Sequence, residues 1–192
     1  MRFSKKEEYL RQKDKKLKKI IDENGHITFK TVKNNQFDTL VGIVISQFIS
    51  TKAANSIYKN IRENFNSAYL NENHLEKLNI NQIKKLGLST NKAKTIKELS
   101  NLFLYDKDYD LSKLNDMDLN ENLLSIFGIG PWSINMFEIF SLGKLDIFTS
   151  KDAGLRLAMN KSKIIKPFEN WTKYDEYSKN LEKLDACKAN LN

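Results

Sequence analysis

The chain has 192 residues, enough for one large domain or two small lobes around a buried core. Hydrophobic residues make up 40% and charged residues 29%, and the net charge of +8 fits either a polyanionic partner, nucleic acid above all, or a solvated basic surface. A single cysteine, Cys187, excludes a disulfide within the chain and a four-cysteine zinc or iron–sulfur site, and no stretch approaches the roughly 20 apolar residues of a membrane span.

The start, "MRFSKKEEYLRQKDKKLKKI", has no apolar run and does not read as a secretory leader, so an intracellular protein of the cytoplasm and nucleoid, or of the nucleus, is expected. "EEYLRQKDKKLKKIIDENG" predicts one amphipathic helix, with Tyr9, Leu10, Leu17, Ile20 and Ile21 apolar and a stop at Asn24–Gly25. "FDTLVGIVISQFIS", 37–50, is nearly all apolar and predicts a buried helix. "STKAANSIYKNIRENF", 50–65, opens with a Ser/Thr cap and sets Ala53, Ala54, Ile57, Ile61 and Phe65 on one face. In the polar connector that follows, Leu86–Gly87–Leu88 closes a short helix, and Ser89 or Thr90 caps the next. Residues 106–120 read as an acidic loop with one turn. Helices are expected over 121–127 and 131–142, with the turn at 128–130 and Pro131 at a first helical position. A loop, a helix in "DAGLRLAMNK" and a final amphipathic helix from Trp171 complete an all-α reading. "KKLGLSTNKAKTI" faintly echoes "LSIFGIGPWSINM".

Two glycines before a helix suit either an ordinary tight turn or an anion site. Gly128 and Gly130 allow unusual backbone angles and close approach. The helix behind them presents unpaired N–H groups and the positive end of its dipole, which together can hold a phosphate.

The wider constellation narrows this choice. "LSIFGIGPWSINMFEIFSLGKLDIFTSKDAGLRLA" resembles the helix-hairpin-helix DNA glycosylases that carry a Gly/Pro-rich loop and a catalytic aspartate. The family pattern, roughly LPGIGxWTA, then LG-x-x-D-x-F, then PxxDxGLxxA, stands here as Phe127 to Ser133, Leu142–Gly143, Asp146 to Phe148, and Asp152 to Ala158. Asp152 follows Trp132 by 20 residues. Upstream, "YLRQKDKKLKKIIDENG", "FDTLVGIVISQFISTKAA" and "LGLSTNKAKTIKELS" are similar to successive segments of the 3-methyladenine DNA glycosylase II branch. Phe127 and Thr149 replace prolines of the pattern, and Phe48 replaces a second glutamine.

The resemblance implies a two-lobed helical fold with the active-site cleft between the lobes. Residues 37–110 would form most of one lobe, and 1–36 with 111–192 the other. It implies a monofunctional enzyme of base excision repair that flips alkylated purines, such as 3-methyladenine or 7-methylguanine, out of double-stranded DNA. Asp152 would stabilise the cationic sugar of the transition state, and it also reads as a helix N-cap; the two roles are compatible. Trp132 and Met136 would line the base pocket, although Trp132 also suits packing between the hairpin helices. Bifunctional relatives carry a nucleophilic lysine where Trp132 stands. Gln47, Phe48 and Ile49 take the place of the wedge, with Gln47 at the opposing base, while Phe48 equally reads as core. Gly128, Ile129, Gly130, Trp132 and Ser133 would grip phosphate through the hairpin, with Lys151 as a further contact. Lys92 and Lys94 are phosphate candidates or part of a solvated basic face. The family holds a monovalent cation, K+ or Na+, through hairpin carbonyls that match Leu124, Ile126 and Ile129. No other cofactor, no membrane and a monomer are expected. The alternatives are a glycosylase for uracil, hypoxanthine or oxidised guanine, a non-catalytic DNA-binding protein, or a helical module for protein partners.

Overall fold

The computed structural model describes residues 3–26, 35–105, 109–144, 147–149 and 151–162. The elements are α1 (Lys5–Lys13), α2 (Lys15–Asn24), α3 (Gln36–Ser46), α4 (Thr51–Asn64), α5 (Glu72–Glu76), α6 (Ile80–Lys85), α7 (Thr90–Tyr105), a 3₁₀ turn Leu111–Lys113, α8 (Asp116–Leu124), α9 (Pro131–Phe137) continued by a π-helical segment Glu138–Leu142, and α10 (Ala153–Ser162). No strand occurs among the described residues, and the all-α expectation holds.

Two boundaries differ from expectation for the same physical reason. The apolar spacing runs through residues 7–24, yet the chain breaks at Asp14, which leaves helical geometry at φ −136°, ψ 117°. Its carboxylate accepts the N–H groups of Lys16, at 2.7 Å, and Leu17, at 3.0 Å, and so starts a second helix. Short polar side chains compete with the helix ladder in this way. Asn115 does the same before α8, accepting the N–H groups of Met117 and Asp118, so that helix begins five residues ahead of the expected 121. Asp116 and Asp118 then sit in its first turn, where the dipole favours anions.

The chain divides into two compact units, residues 1–29 with 146–192, and residues 30–145. One core fills the second unit. Phe37, Leu40, Val41, Val44 and Ile45 of α3 meet Ile61 of α4, Ile83 of α6, Ile96 and Leu99 of α7, and Leu119, Leu123, Ile134 and Phe137 of α8 and α9. Burying each such side chain contributes about 1.5–3 kcal/mol. The expected lobe boundary at 111 is therefore corrected: Leu111, Leu119, Leu123, Ile126, Ile129, Ile134 and Phe137 belong to the same core as residues 37–110. In α4 the buried face runs through Ala54 and Ile61, with Ala53 turned to solvent. Asp38 of α3, nearly buried, accepts the Tyr58 hydroxyl and, at 2.9 Å, the N–H of Leu70, so this carboxylate is satisfied where it ties α3 to α4. Burial and that carboxylate push the Tyr58 phenol well above its usual range. The expected final helix from Trp171 and the single cysteine, Cys187, lie outside the described residues.

Candidate functional site

The turn between α8 and α9 uses its two glycines differently. Gly128 sits at φ +80°, and a Cβ there would fall 2.3 Å from Oγ1 of Thr95. Thr95 lies on α7, is almost fully buried and donates its hydroxyl to the carbonyl of Asn91 at 3.0 Å, so it cannot swing away. Left-handed backbone and close approach together require glycine at 128. Gly130, at φ −126° and ψ 178°, is extended backbone, and a Cβ there would meet nothing within 4 Å. The reason expected for both glycines thus applies to Gly128 alone. Gly130 is the cap residue of α9, without a side-chain hydrogen bond to the helix start, and Pro131 opens the helix. Ile129 is buried and anchors the turn to the core. What results is a helix start that its own N-cap residue does not close, with open space where a Cβ at Gly130 would stand. That geometry suits an anion.

The carbonyls expected to hold a cation lie at the same corner. Leu124 ends α8, where helix carbonyls have no intrahelical partner, and the carbonyl of Ile126 accepts the N–H of Ile129 at 3.1 Å. A donor set made only of backbone oxygen fits a hard monovalent ion better than a transition metal. Among the described residues no group of three His, Cys, Asp or Glu side chains could hold a metal.

The expected wedge is the most exposed aromatic group in this unit. α3 stops at Ser46, earlier than the expected 50, and the chain turns through Gln47, Phe48 and Ile49. Phe48 takes φ +58° and its side chain is fully exposed, which rules out the core reading. For a residue with a Cβ this backbone costs about 1–2 kcal/mol, a cost that surrounding contacts must hold in place. Two contacts do so. The Gln47 amide donates to the carbonyl of Gly128 at 3.0 Å and to the Ser133 hydroxyl at 2.9 Å. The Lys92 ammonium donates to the carbonyls of Ile45 and Gln47, each at 2.7 Å. Gln47 therefore ties the wedge loop to the hairpin through its amide nitrogen. Lys92 likewise has an internal role in place of a phosphate contact, and burial lowers its pKa.

Ser133 is buried, and its hydroxyl oxygen accepts the Gln47 amide. Trp132 and Met136, one helical turn apart on α9, are both half-buried against the core. Asp152 and Lys151 belong to the other unit. There Asp152 is half-buried at the start of α10; its Oδ1 accepts the N–H of Leu155 at 2.6 Å, and its carbonyl accepts the N–H of Arg156 at 3.1 Å. The N-cap reading of Asp152 holds. Lys151 is exposed. The structure thus brings Gln47, Phe48, Gly128, Gly130, Trp132, Ser133 and Met136 into one unit, and sets Asp152 in the other.

Sequence reasoning missed the supporting role of α7. A signal was present in Lys92, which stands in the first turn of α7, where the helix dipole disfavours a cation. Its head reaches instead the C-terminal carbonyls of α3, where the dipole favours one.

Known proteins share this architecture. A DNA-3-methyladenine glycosylase of Saccharomyces cerevisiae is 28% identical over 207 residues, spanning 88% of this chain and 70% of its own. The crystal structure of a DNA-3-methyladenine glycosidase from Bacillus halodurans superposes with a TM-score of 0.62 at 28% identity, over 80% of this chain and 71% of the other. A 3-methyladenine DNA glycosylase of Schizosaccharomyces pombe, solved with abasic DNA, gives a TM-score of 0.71 at 22% identity over 90% and 94% of the two chains, a likeness of fold. The model of the HhH-GPD superfamily base excision DNA repair proteins matches residues 41–185, from α3 through the hairpin and Asp152, and the chain belongs to that family.

Proposed function

We propose that this protein is a monofunctional DNA glycosylase that hydrolyses the N-glycosidic bond of alkylated purines in duplex DNA. The observation that carries the reading is the hairpin: a helix start whose N-cap residue, Gly130, supplies no side-chain cap, open space for a Cβ there, and Trp132 directly behind Pro131 in place of a lysine nucleophile.

The chemistry follows from the bond. Cleavage leaves positive charge on the sugar, and an ionised carboxylate aimed at that charge lowers the barrier. Asp152 has this role, and the Leu155 N–H that fixes its Oδ1 holds the side chain in one orientation. Water is the nucleophile, because tryptophan cannot form the Schiff base through which a lysine would act. A 3-methyladenine or 7-methylguanine base carries positive charge, so it leaves without a general acid. The Trp132 indole attracts such a cation by up to about 2 kcal/mol once water is excluded, with Met136 beside it.

Binding follows from the same parts. Flipping a nucleotide costs a few kcal/mol of stacking, which an inserted apolar side chain and strand contacts offset. Phe48, with Ile49 next to it, fills the gap. The backbone N–H groups of Trp132 and Ser133 serve a phosphate, and the carbonyls of Leu124, Ile126 and Ile129 would hold a monovalent cation, which would add positive charge beside that phosphate. Such a cation supplies charge to the phosphate contact and takes no part in the chemistry. Lys151 adds a further phosphate contact, and the protein acts as a monomer.

The test is to incubate the protein with duplexes that each carry one defined lesion and to identify the released bases. Release of 3-methyladenine or 7-methylguanine with the strand left intact is the expected result. Strand nicking, or a borohydride-trapped protein–DNA adduct, would overturn the monofunctional assignment. Tight binding without any free base would make the protein a non-catalytic DNA binder.

A further inference from the structure

We infer that Lys92 is a positioning residue for the wedge, acting on Phe48 through the carbonyls of the wedge loop. The inference rests on the reading of residues 47–49 as the element that enters DNA.

Three residues at three-residue spacing along α7 engage the two loops in turn. Lys92 holds the carbonyls of Ile45 and Gln47 at 2.7 Å each. Thr95 lies under Gly128, so close that no Cβ fits between them. Glu98 accepts the backbone N–H of Phe127 at 3.3 Å. Residues at this spacing share a side of a helix. α7 therefore sets the wedge loop and the hairpin turn in one register, and Gln47 closes the circuit by bonding both Gly128 and Ser133.

Lys92 carries the most strained part of this arrangement. The ammonium is half-buried at the wrong end of its own helix, which is unfavourable unless the head group is used. It is used on carbonyls at the C-terminal end of α3, one turn of chain before a phenylalanine in left-handed geometry. With Gln47 pinned by its carbonyl and by its amide, the chain enters Phe48 in a fixed direction that holds its left-handed backbone. Phe48 is thereby presented to solvent as a fixed wedge. Without Lys92, Phe48 returns to unstrained backbone and its ring leaves the inserting position.

The experiment uses a duplex with a stable abasic-site analogue and 2-aminopurine beside it. The fluorescence rise on binding reports unstacking by the wedge and needs no bond cleavage. Lys92→Met should weaken this response by about tenfold or more, the scale of a lost charge-assisted hydrogen bond. Lys92→Arg, which can still donate to both carbonyls, should restore most of it. In a Phe48→Ala background, Lys92→Met should add nothing, because it acts through Phe48. A wild-type response from Lys92→Met overturns the inference, and so does a loss that adds in full to that of Phe48→Ala, which would mark a merely structural role. If Lys92→Met does not fold, Lys92→Gln, which keeps one donor group, carries the same comparison. A wild-type protein that inserts Phe48 but releases no base would defeat the glycosylase reading and leave this inference standing. A Phe48→Ala variant that responds like wild type would defeat the inference.

Discussion

Two helix–turn–helix units in residues 30–145 are built on one plan and finished differently. In the first, α6 passes through Leu86–Gly87–Leu88 into α7; in the second, α8 passes through Phe127–Gly128–Ile129 into α9. Both glycines have positive φ, +100° and +80°, and both following residues, Leu88 and Ile129, are buried. The difference lies two residues past the glycine. The first unit has Ser89 there, whose hydroxyl accepts the N–H of Lys92 at 3.4 Å. The second has Gly130, with no side-chain cap. One helix start is closed by its own cap residue and the other is not. A shared turn is thus ordinary architecture, and under the proposed reading the functional signal is the cap that Gly130 does not supply.

That comparison would fail at its root if the chain did no chemistry on DNA, so the largest expected effect comes first. Asp152→Asn keeps a good N-cap, since asparagine accepts the Leu155 N–H as aspartate does. It removes the charge that, in the proposed mechanism, faces the sugar. Under the proposed reading, excision in single turnover should fall about 10²–10³-fold, the scale of one preorganised electrostatic group, with the melting temperature little changed. Excision at the wild-type rate would remove Asp152 from the mechanism.

The next effect separates the two glycine turns by stability. Gly128→Ala places a methyl group against buried Thr95 and forces left-handed backbone on alanine, a loss of about 2–4 kcal/mol. Gly87→Ala meets only the Ile57 side chain, at an ordinary 3.5 Å, and carries the backbone strain alone, about 1–2 kcal/mol. Urea denaturation of the two variants checks this ranking. Equal losses would mean that the second turn is no more tightly docked on α7 than the first is on its neighbour.

Much of this was legible in the sequence because it depends on local pattern. The nearly all-apolar run of α3, the Ser50 cap of α4 and the Gly–Pro start of α9 each announce themselves within a few residues. Boundaries failed where a short polar side chain captured N–H groups inside an otherwise continuous pattern, as at Asp14 and Asn115. The turn residues of the hairpin were legible, but the reasons for them were not. That Gly128 needs glycine depends on Thr95, 33 positions earlier, and that Gln47 faces inward depends on Ser133, 86 positions later. Lys92 read as one more basic side chain, because its acceptors are backbone carbonyls that carry no residue identity.

The smallest change in stability makes the sharpest use of the comparison. Gly130→Ser rewrites the second turn as the first, turning Gly-Ile-Gly into the Gly-Leu-Ser pattern. The backbone at 130, φ −126° and ψ 178°, already has cap geometry, and the space for a Cβ is open. Serine there can accept a hydrogen bond from the start of α9, so the protein should gain a few tenths of a kcal/mol, the margin by which a polar cap exceeds glycine. The same hydroxyl then occupies N–H groups that the proposed phosphate contact requires. Affinity for duplex DNA should fall several-fold while the melting temperature rises slightly, and the dependence of binding on salt should become shallower as one phosphate contact is lost. Fluorescence anisotropy across a salt series, paired with thermal unfolding, measures both. If the variant binds DNA like wild type, the open helix start is no phosphate site, and the difference between Ser89 and Gly130 is without functional meaning.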